Sequence, residues 1–263
     1  MRLKDKTAII VGAGQQPGDT IGNGRAVAIR FAQEGATSLL VDVNEAWAVE
    51  TLKLVEAEGG KGSVLAADIT IEADCKAIAE ACVKRYGRID ILHNNVGRSK
   101  GDAPTPDIDV DMWDELMAMN LKGMVMTCKH VLPVMREQKS GNIINVSSIL
   151  SLSIGQGVTY KSGKGAVNTF TQHLAMENAP YNIRANAILP GLMDTPMAIV
   201  RRAAERGVDA DVVRRERDAQ VPLGGMGDAW DVAHAAVYLA SDEASYVSGV
   251  LLPVDGGFAC KII

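Results

Sequence analysis

The sequence contains few of the residues on which metal sites, disulfide frameworks and membrane anchors depend. It has four cysteines and four histidines in 263 residues, with no Cys-x-x-Cys pair and no metal-ligand spacing. Free thiols in a reducing compartment explain these cysteines most simply, and no bound metal is expected. No apolar run is long enough for a transmembrane helix, and the charged N-terminus does not resemble a signal peptide. We therefore expect a cytoplasmic protein with no membrane partner.

Basic residues are also in short supply relative to acidic ones. The chain has 27 lysines and arginines against 32 aspartates and glutamates, which gives a net charge of −5. An acidic protein is repelled by the phosphate backbone, so we expect no nucleic-acid partner. In contrast, 47% of the residues are hydrophobic. A chain of this length and composition can bury a sizeable core and is typical of a globular protein.

Short apolar segments alternate with segments of helical periodicity along the whole chain. This alternation predicts right-handed βαβ units and an α/β fold, a Rossmann-like doubly wound parallel sheet with helices on both faces. No composition shift or repeat marks a boundary, so residues 1–263 are expected to form a single domain with about seven strands. Six strands are predicted at residues 7–11, 37–41, 64–66, 89–93, 142–146 and 183–189, with a last one before Asp255, and helices at about 25–33, 46–57, 71–86, 111–135 and 160–177.

A glycine-rich loop follows the first predicted strand and precedes the first predicted helix. Glycines such as Gly12 and Gly22 let the backbone approach a pyrophosphate, and the helix N-terminus offers free N–H groups. Asp42, at the end of the next strand, is placed to accept hydrogen bonds from an adenosine ribose. A carboxylate there repels a 2′-phosphate, and neither Val43 nor Asn44 supplies a compensating cation. The sequence therefore predicts NAD as the cofactor, preferred over NADP.

Tyr160 and Lys164 lie four residues apart at the start of a predicted helix. Residues with this spacing are neighbours on one helix face. A free tyrosine has a pKa of about 10, and an adjacent ammonium lowers it, so the pair is suited to moving a proton to or from an alcohol oxygen. On its own the pair is weak, because a surface helix often contains it by chance.

Further motifs occur in a fixed order and make the pair far more specific. With them, the chain resembles the short-chain dehydrogenase/reductase family, single-domain type, from Lys6 to Gly257. The motifs are the glycine loop, Asp68-Ile69, Asn94-Asn95-Val96-Gly97, Asn120-Leu121-Lys122-Gly123, Asn145-Val146-Ser147-Ser148, Tyr160 to Lys164, Pro190-Gly191, Thr195-Pro196 and Val254-Asp255-Gly256-Gly257.

The resemblance implies four catalytic residues. Tyr160 would be the general acid or base, and Lys164 would lower its pKa and bind the nicotinamide ribose. Ser148 would hold the reacting oxygen, and Asn120 would position a water in a proton relay. The implied cofactor-binding residues are Gly12, Gly22, Asn23, Asp42, Asp68, Ile69, Asn95, Gly97, Tyr160, Lys164, Pro190, Gly191 and Thr195, and the implied substrate-binding residues are Ser148, Tyr160, Leu150 and Met193.

The chain departs from the family pattern in two informative places. Six extra residues lie within the segment from Gly14 to Ile21, and the sequence leaves open which of Gly14 and Gly18 contacts the cofactor. The spacing from Ser148 to Tyr160 is one residue shorter than expected. Ser147 therefore remains an alternative to Ser148 for binding the reacting oxygen.

The substrate pocket is expected to be formed by Arg98, Ser99, residues 149–159, Met193 and residues 196–223. Within it, residues 195–225 resemble the substrate lid of the family. Arg98 or an arginine of the lid could bind a substrate carboxylate, although exposed arginines usually face water.

The sequence as a whole predicts an NAD-dependent oxidoreductase that transfers a hydride between a secondary alcohol or ketone and the nicotinamide. The alternative is a non-catalytic NAD-binding regulatory protein on the same fold. The resemblance also implies a homotetramer, or a homodimer.

Overall fold

The computed structural model describes residues 1–152 and 157–261. Nine strands and nine helices occur within these ranges, together with short 3₁₀ turns. The strands are β1 (Thr7–Val11), β2 (Thr37–Asp42), β3 (Lys61–Ala66), β4 (Ile91–Asn94), β5 (Gly141–Val146), β6 (Ile183–Pro190), β7 (Met193–Asp194), β8 (Gly227–Asp228) and β9 (Leu251–Val254), and the helices are α1 (Asn23–Gln33), α2 (Glu45–Ala57), α3 (Glu72–Tyr86), α4 (Val110–Met117), α5 (Gly123–Gln138), α6 (Val158–Asn178), α7 (Val200–Arg206), α8 (Ala210–Asp218) and α9 (Ala229–Ala240).

Seven strands form one sheet in the order β3-β2-β1-β4-β5-β6-β9, and every neighbouring pair is parallel. The order reverses between β1 and β4, where successive connections cross to opposite faces. The predicted single doubly wound α/β domain with a seven-stranded parallel sheet is therefore confirmed. Such a reversal opens a crevice at the carboxyl ends of the strands, which is where ligands bind in open α/β sheets.

Helices cover both faces of the sheet and bury its strands. Every residue of β1 is buried, which explains why its sequence is a continuous apolar run rather than an alternating one. On one face α1 packs against α9, with Phe31 and Val237 in the same apolar cluster. On the other face α3 packs against α5, with Ile78 and Val131 in a second cluster.

The predicted continuous helix over residues 111–135 is interrupted in the structure. A π-helical turn over Ala118–Lys122 separates α4 from α5, and the Gly123 N–H donates to the Ala118 carbonyl. A π turn inserts one extra residue into a helix and is frequent at functional sites. This one contains Asn120, and hydrophobic periodicity could not locate it because the helical path continues on both sides.

A second, small sheet was not predicted from the sequence. Strands β7 and β8 pair in parallel, with Met193 opposite Gly227 and Asp194 opposite Asp228. Two-residue strands give too little periodicity to be recognised. Their pairing joins the two ends of the segment that holds α7 and α8. Within the described residues, no helix is long and apolar enough to cross a membrane.

Candidate active site

A cavity of about 440 Å³ opens at the carboxyl ends of the central strands. It is bordered by the glycine loop after β1, the ends of β2, β4, β5 and β6, the start of α6, and the segment from β7 through α8. The order of the sheet strands reverses directly beneath it. The position is therefore the one that a doubly wound sheet offers to a dinucleotide.

The structure brings nearly all of the predicted site residues to this one cavity. Asn120 is the exception, since it lies buried behind the lining. The predicted residues that line the cavity are Gly12, Gly22, Asn23, Asp42, Asp68, Ile69, Asn95, Gly97, Ser148, Leu150, Tyr160, Lys164, Pro190, Gly191, Met193 and Thr195.

The N-terminus of α1 is left open toward the cavity. Gly22 precedes the helix and provides no side-chain cap, and the first turn contains no acidic residue. The free N–H groups and the positive end of the helix dipole therefore remain available to an anion. Close packing holds this end in place, because a Cβ on Gly24 would lie 1.9 Å from the Gly12 carbonyl oxygen. The geometry fits a pyrophosphate.

The six extra residues of the glycine loop are folded back onto the loop itself. The Gln15 amide donates to the Thr20 carbonyl at 2.9 Å and accepts from the Gly22 N–H at 2.7 Å. Of the two glycines left open by the sequence, Gly14 lines the cavity and Gly18 packs against Pro196. A glutamine closing its own loop has no sequence signature, so its role could not be predicted.

The tip of the same loop is tied to α8. Arg214 reaches Asp19 of the loop at 2.7 Å and Asp194 of β7 at 3.0 Å. One guanidinium therefore joins the glycine loop, the small sheet and the segment over the cavity.

Asp42 is held rigidly at the end of β2. Its carboxylate accepts from the Gly14 N–H at 2.8 Å and from the Asn44 N–H at 3.0 Å. Burial raises its pKa, and these backbone hydrogen bonds oppose the rise because they favour the charged form. The next residue, Val43, is uncharged and 70% exposed, so it places no cation beside the carboxylate.

Tyr160, Ser148 and Lys164 form the polar centre of the cavity. Ser148 lies near enough to the Tyr160 hydroxyl to lower its pKa by hydrogen bonding, and the Lys164 ammonium lies 5.7 Å from the Tyr160 ring centroid. The alternative serine, Ser147, donates instead to the Lys164 carbonyl at 2.9 Å. The geometry therefore favours Ser148 over Ser147 as the partner of a reacting oxygen.

Burial sets the direction of both pKa shifts in this group. It raises the pKa of Tyr160, against the opposing effects of the Ser148 hydrogen bond and of the charges on Arg201 and Arg202. It lowers the pKa of Lys164 to about 7, so that this side chain is only about half protonated at neutral pH. Burial therefore outweighs the lowering effects on the Tyr160 pKa, and the expectation that the Lys164 charge lowers this pKa stays a prediction.

Lys164 is nevertheless well satisfied by the backbone around it. Its ammonium donates to the Val146 carbonyl at 2.8 Å and to the Val96 carbonyl at 3.2 Å. The Val146 carbonyl lies at the end of β5, and the Val96 carbonyl lies just after the end of β4. The strand ends of the sheet therefore fix the position of the amine. A Cβ on Gly97 would lie 2.9 Å from the amine, so any side chain there would displace it.

The depressed pKa of Lys164 predicts that the free energy of unfolding rises with pH. Below about pH 7 both states are protonated and the cost of burying the ammonium is complete. Between about pH 7 and about 10.4 the native state binds fewer protons than the unfolded state, so Lys164 adds a slope of up to about 1.4 kcal/mol per pH unit. Urea titrations across this range should show the slope in the wild type and not in Lys164→Met.

The exposed Lys76, paired with Glu80 on α3, provides the matched control. Lys76→Met should keep the slope of the wild type. Parallel curves for Lys164→Met and the wild type would contradict the pKa of Lys164.

The Asn120 side chain is fully engaged with the backbone. It accepts from the Arg98 N–H at 2.8 Å and donates to the Arg98 and Leu116 carbonyls at 2.8 and 2.9 Å. It thereby fixes the segment after β4 against the π turn, and Gly97 lies between it and Lys164. The implied role of Asn120 in positioning a water stays a prediction.

The side of the cavity that is predicted to hold an adenosine contains short polar contacts. Asp68 accepts from the Thr70 N–H and hydroxyl at 2.8 and 2.7 Å, which orients its carboxylate. Asn95 donates to the Gly12 carbonyl at 3.1 Å and so joins the segment after β4 to the glycine loop. The neighbouring Asn94 donates to Asn145 at 3.0 Å and so joins the adjacent strands β4 and β5.

The substrate side differs from the sequence expectation at Arg98. This side chain is ion-paired with Glu115 of α4 and lies outside the described lining of the cavity, whereas Ser99 is part of that lining. Residues 153–156 of the expected 149–159 segment lie outside the described residues. Sequence reasoning did not single out the lining residues Trp47 and Met119, whereas Met197, Arg201, Arg202 and Arg217 come from the predicted segment 196–223.

Comparisons with known proteins agree with this architecture over the full chain. A family model described as enoyl-(acyl carrier protein) reductase matches residues 19–259. The chain is 36% identical over 258 residues to 3-oxoacyl-(acyl-carrier-protein) reductase FabG of Thermotoga maritima, covering 98% of this chain and 99% of the relative.

Two solved structures are similarly close. Levodione reductase superimposes with a TM-score of 0.93 at 32% identity, covering 99% of this chain and 100% of that one. Carveol dehydrogenase from Mycobacterium avium in complex with NAD gives a TM-score of 0.91 at 28% identity, with 99% of each chain covered. With these matches and the site geometry, the chain belongs to the short-chain dehydrogenase/reductase family of oxidoreductases.

Proposed function

We propose that this protein is an NAD-dependent oxidoreductase that transfers a hydride between a secondary alcohol or ketone and the nicotinamide. The observation that carries the proposal is the group formed by Tyr160, Ser148 and Lys164 in the same cavity as the glycine loop and Asp42. A proton-transfer group and a dinucleotide cradle within one cavity match the two halves of such a reaction. The similarity to reductases and dehydrogenases supports the same conclusion.

In this proposal the bound nicotinamide supplies the hydride chemistry. Tyr160 exchanges a proton with the substrate oxygen, and Ser148 holds that oxygen by a hydrogen bond that strengthens as negative charge develops on it. Because burial raises the pKa of Tyr160, its resting form is the acid that protonates a carbonyl oxygen. Alcohol oxidation requires the phenol to lose its proton first, and the charges of Arg201 and Arg202 favour that loss.

Lys164 and Asn120 complete the proposed machinery from opposite sides. Lys164, fixed by the Val146 and Val96 carbonyls, would bind the nicotinamide ribose and exchange protons near neutral pH. Asn120 is proposed as a positioning residue, because its hydrogen bonds hold the backbone beside Lys164 in place. Residues 195–225, which include α7 and α8, are proposed to act as the substrate lid.

The proposed preference for NAD over NADP rests on Asp42. Its fixed carboxylate can accept hydrogen bonds from a ribose hydroxyl and repels a 2′-phosphate at the same position. The variant Asp42→Ala with Val43→Arg removes the repulsion and adds a cation at an exposed position. We expect the ratio of kcat/KM for NADP to that for NAD to rise about a hundredfold, as removal of a like charge at about 4 Å allows.

Val43→Arg alone serves as the matched control for this change. It should shift the ratio much less, because Asp42 still faces the phosphate. An unchanged ratio in the double variant would mean that cofactor choice depends on other residues.

The proposal includes assembly and compartment. We propose a homotetramer, or a homodimer, in the cytoplasm. The four cysteines are free, which agrees with a reducing compartment. Met176 on α6 is 83% exposed in the single chain, as expected for an apolar residue that a second chain covers in the assembly. Light scattering that gives the mass of one 27.9 kDa chain would contradict the assembly.

The experiment that tests the function is a spectrophotometric assay of NADH formation and consumption. It uses NAD and NADP with panels of secondary alcohols, ketones, sugars and hydroxy acids. NAD-linked turnover of one class would support the proposal. Tight NADH binding without turnover across the panels would instead favour a non-catalytic NAD-binding protein.

A further inference from the structure

Three arginines of the lid line the substrate side of the cavity. Arg201 and Arg202 come from α7, and Arg217 comes from α8. Arg201 is engaged with Glu205 at 3.3 Å and with the Ser99 hydroxyl at 3.4 Å. Two guanidinium groups remain to be explained.

Arg202 and Arg217 have no carboxylate at ion-pair distance among the residues that the structure describes. Of the carboxylates whose charges act on them, Glu205 and Asp194 are paired with other arginines, and Asp218 accepts from the Met226 N–H. Arg217 donates to the Met226 sulfur at 3.2 Å, and Arg202 forms no described hydrogen bond through its side chain. The ion pairs of this region join Arg201 to Glu205, Arg206 to Glu216, and Arg214 to Asp19, Asp194 and Asp211.

The surroundings make these two charges unfavourable as they stand. Burial, and then the nearby charge of Arg202, lower the pKa of Arg217 to about 10. Arg202 is exposed as a whole residue, yet desolvation and the charge of Arg201 still lower its pKa. Cations that are partly removed from water and close to one another are stabilised most by an anion between them.

Arg202 and Arg217 line the same cavity as Tyr160, the proposed proton-transfer group. The charge of Arg202 acts on the pKa of both Tyr160 and Arg217. Leu150, Met193 and Met197 contribute apolar surface to the same cavity. A ligand that fits has a polar oxygen at Tyr160, an apolar body and an anionic end at the arginines.

We propose that the substrate carries an oxyanion, a carboxylate or a sulfonate, held by Arg202 and Arg217 while its alcohol or ketone oxygen is held at Tyr160. This inference rests on the proposed oxidoreductase function and narrows its substrate to hydroxy or keto acids and their sulfonate counterparts. Arginine is suited to this role because its planar guanidinium binds such groups through two parallel hydrogen bonds.

The cofactor pyrophosphate is the other anion that enters this cavity. The open N-terminus of α1 and the glycine loop already provide its site. The two arginines come instead from the lid, beyond β7. Their replacement should therefore change the binding of substrate and leave the binding of NADH unchanged.

The test measures ligand binding to the enzyme–NADH complex, in which an alcohol cannot be oxidised and no turnover is needed. The probes are 3-hydroxybutanoate, 3-hydroxycyclohexanecarboxylate and 3-hydroxycyclohexanesulfonate, each compared with its uncharged amide by NADH fluorescence. We expect at least one anion to bind about tenfold or more tightly than its amide, in line with a desolvated charge pair. The relative affinities of the carboxylate and the sulfonate probes then show which of these two anionic groups the arginines bind better.

Arg202→Gln and Arg217→Gln should each reduce this preference to about threefold or less, with the Kd for NADH unchanged. Arg217→Lys should restore it only in part, because lysine keeps the charge without the planar fork. The matched control is Arg215→Gln, since Arg215 lies on α8, is exposed and is not part of the cavity lining. It should keep the full preference.

Three results would overturn the inference: equal binding of anions and amides in the wild type, a preference that survives in both arginine variants, or a loss of NADH binding in them. The last would assign the arginines to the cofactor. Failure of the proposed function looks different, because anion binding that depends on the arginines would persist without any turnover of alcohols or ketones.

Discussion

Replacing Tyr160 by phenylalanine is expected to lower kcat by at least about a hundredfold, within the usual range for an acid–base group. The variant removes only the hydroxyl that Ser148 contacts, and it keeps the ring beside Lys164. Phenylalanine cannot exchange a proton with the substrate oxygen. Because the glycine loop and Asp42 are untouched, the Kd for NADH should stay within about twofold of the wild type.

A tyrosine far from the cavity provides the control. Tyr246 is fully exposed, and Tyr246→Phe should leave kcat and NADH binding unchanged. Stopped-flow measurement of a single turnover separates the chemical step from product release. Turnover by Tyr160→Phe at close to the rate of the wild type would remove this residue from the mechanism, whatever the outcome for the cofactor.

Among these variants, Gly24→Ala is expected to lower the free energy of unfolding most. The added methyl would lie 1.9 Å from the Gly12 carbonyl oxygen and 2.7 Å from the Asn95 amide nitrogen. Both are held, since Asn95 donates to Gly12 and the Gly12 N–H donates to the Val41 carbonyl. Overpacking against a fixed backbone costs about 3 kcal/mol or more, which for a chain of this length lowers Tm by roughly 6 to 12 °C.

Gly165→Ala makes the same chemical change in another helix. Gly165 lies in α6, and among the residues that the structure describes no atom outside its own helix backbone would come within 4 Å of an added Cβ. Alanine is the better helix former by up to about 1 kcal/mol, so this variant should be as stable as the wild type or more so. Calorimetry on the two variants therefore separates the effect of the contact from that of composition. Equal Tm values would contradict close packing at Gly24.

The parts of the fold that the sequence predicted are those with strong local signals. Strand β1 is a buried apolar run followed by glycine, and α1 shows clear helical periodicity. Both were located to within about two residues. The predicted fourth strand, over residues 89–93, is shifted relative to β4 at Ile91–Asn94, because Ile89 and Asp90 are also buried without belonging to the strand.

The candidate site was predictable where its residues follow the ends of strands. Asp42 ends β2, and Asn95 and Gly97 follow β4, so parallel topology alone brings them together. The contacts that depend on tertiary packing could not be predicted. Arg98 and Arg217 are both basic residues on polar segments, yet only Arg217 lines the cavity, because Glu115 of α4 holds Arg98 away.

Because α1 packs against α9, this contact can form only late in the synthesis of the chain. Residues 23–33 leave the ribosome early, but the helix that covers them is residues 229–240. The side of α1 that packs against α9 therefore stays uncovered until nearly the whole chain has been translated. Each parallel pair in the sheet also has to close a long crossover loop before it gains contacts, which slows folding. The nascent chain consequently exposes apolar surface on α1, the helix whose N-terminus borders the candidate dinucleotide site, during most of elongation. Exposed apolar surface of this kind is what chaperones recognise.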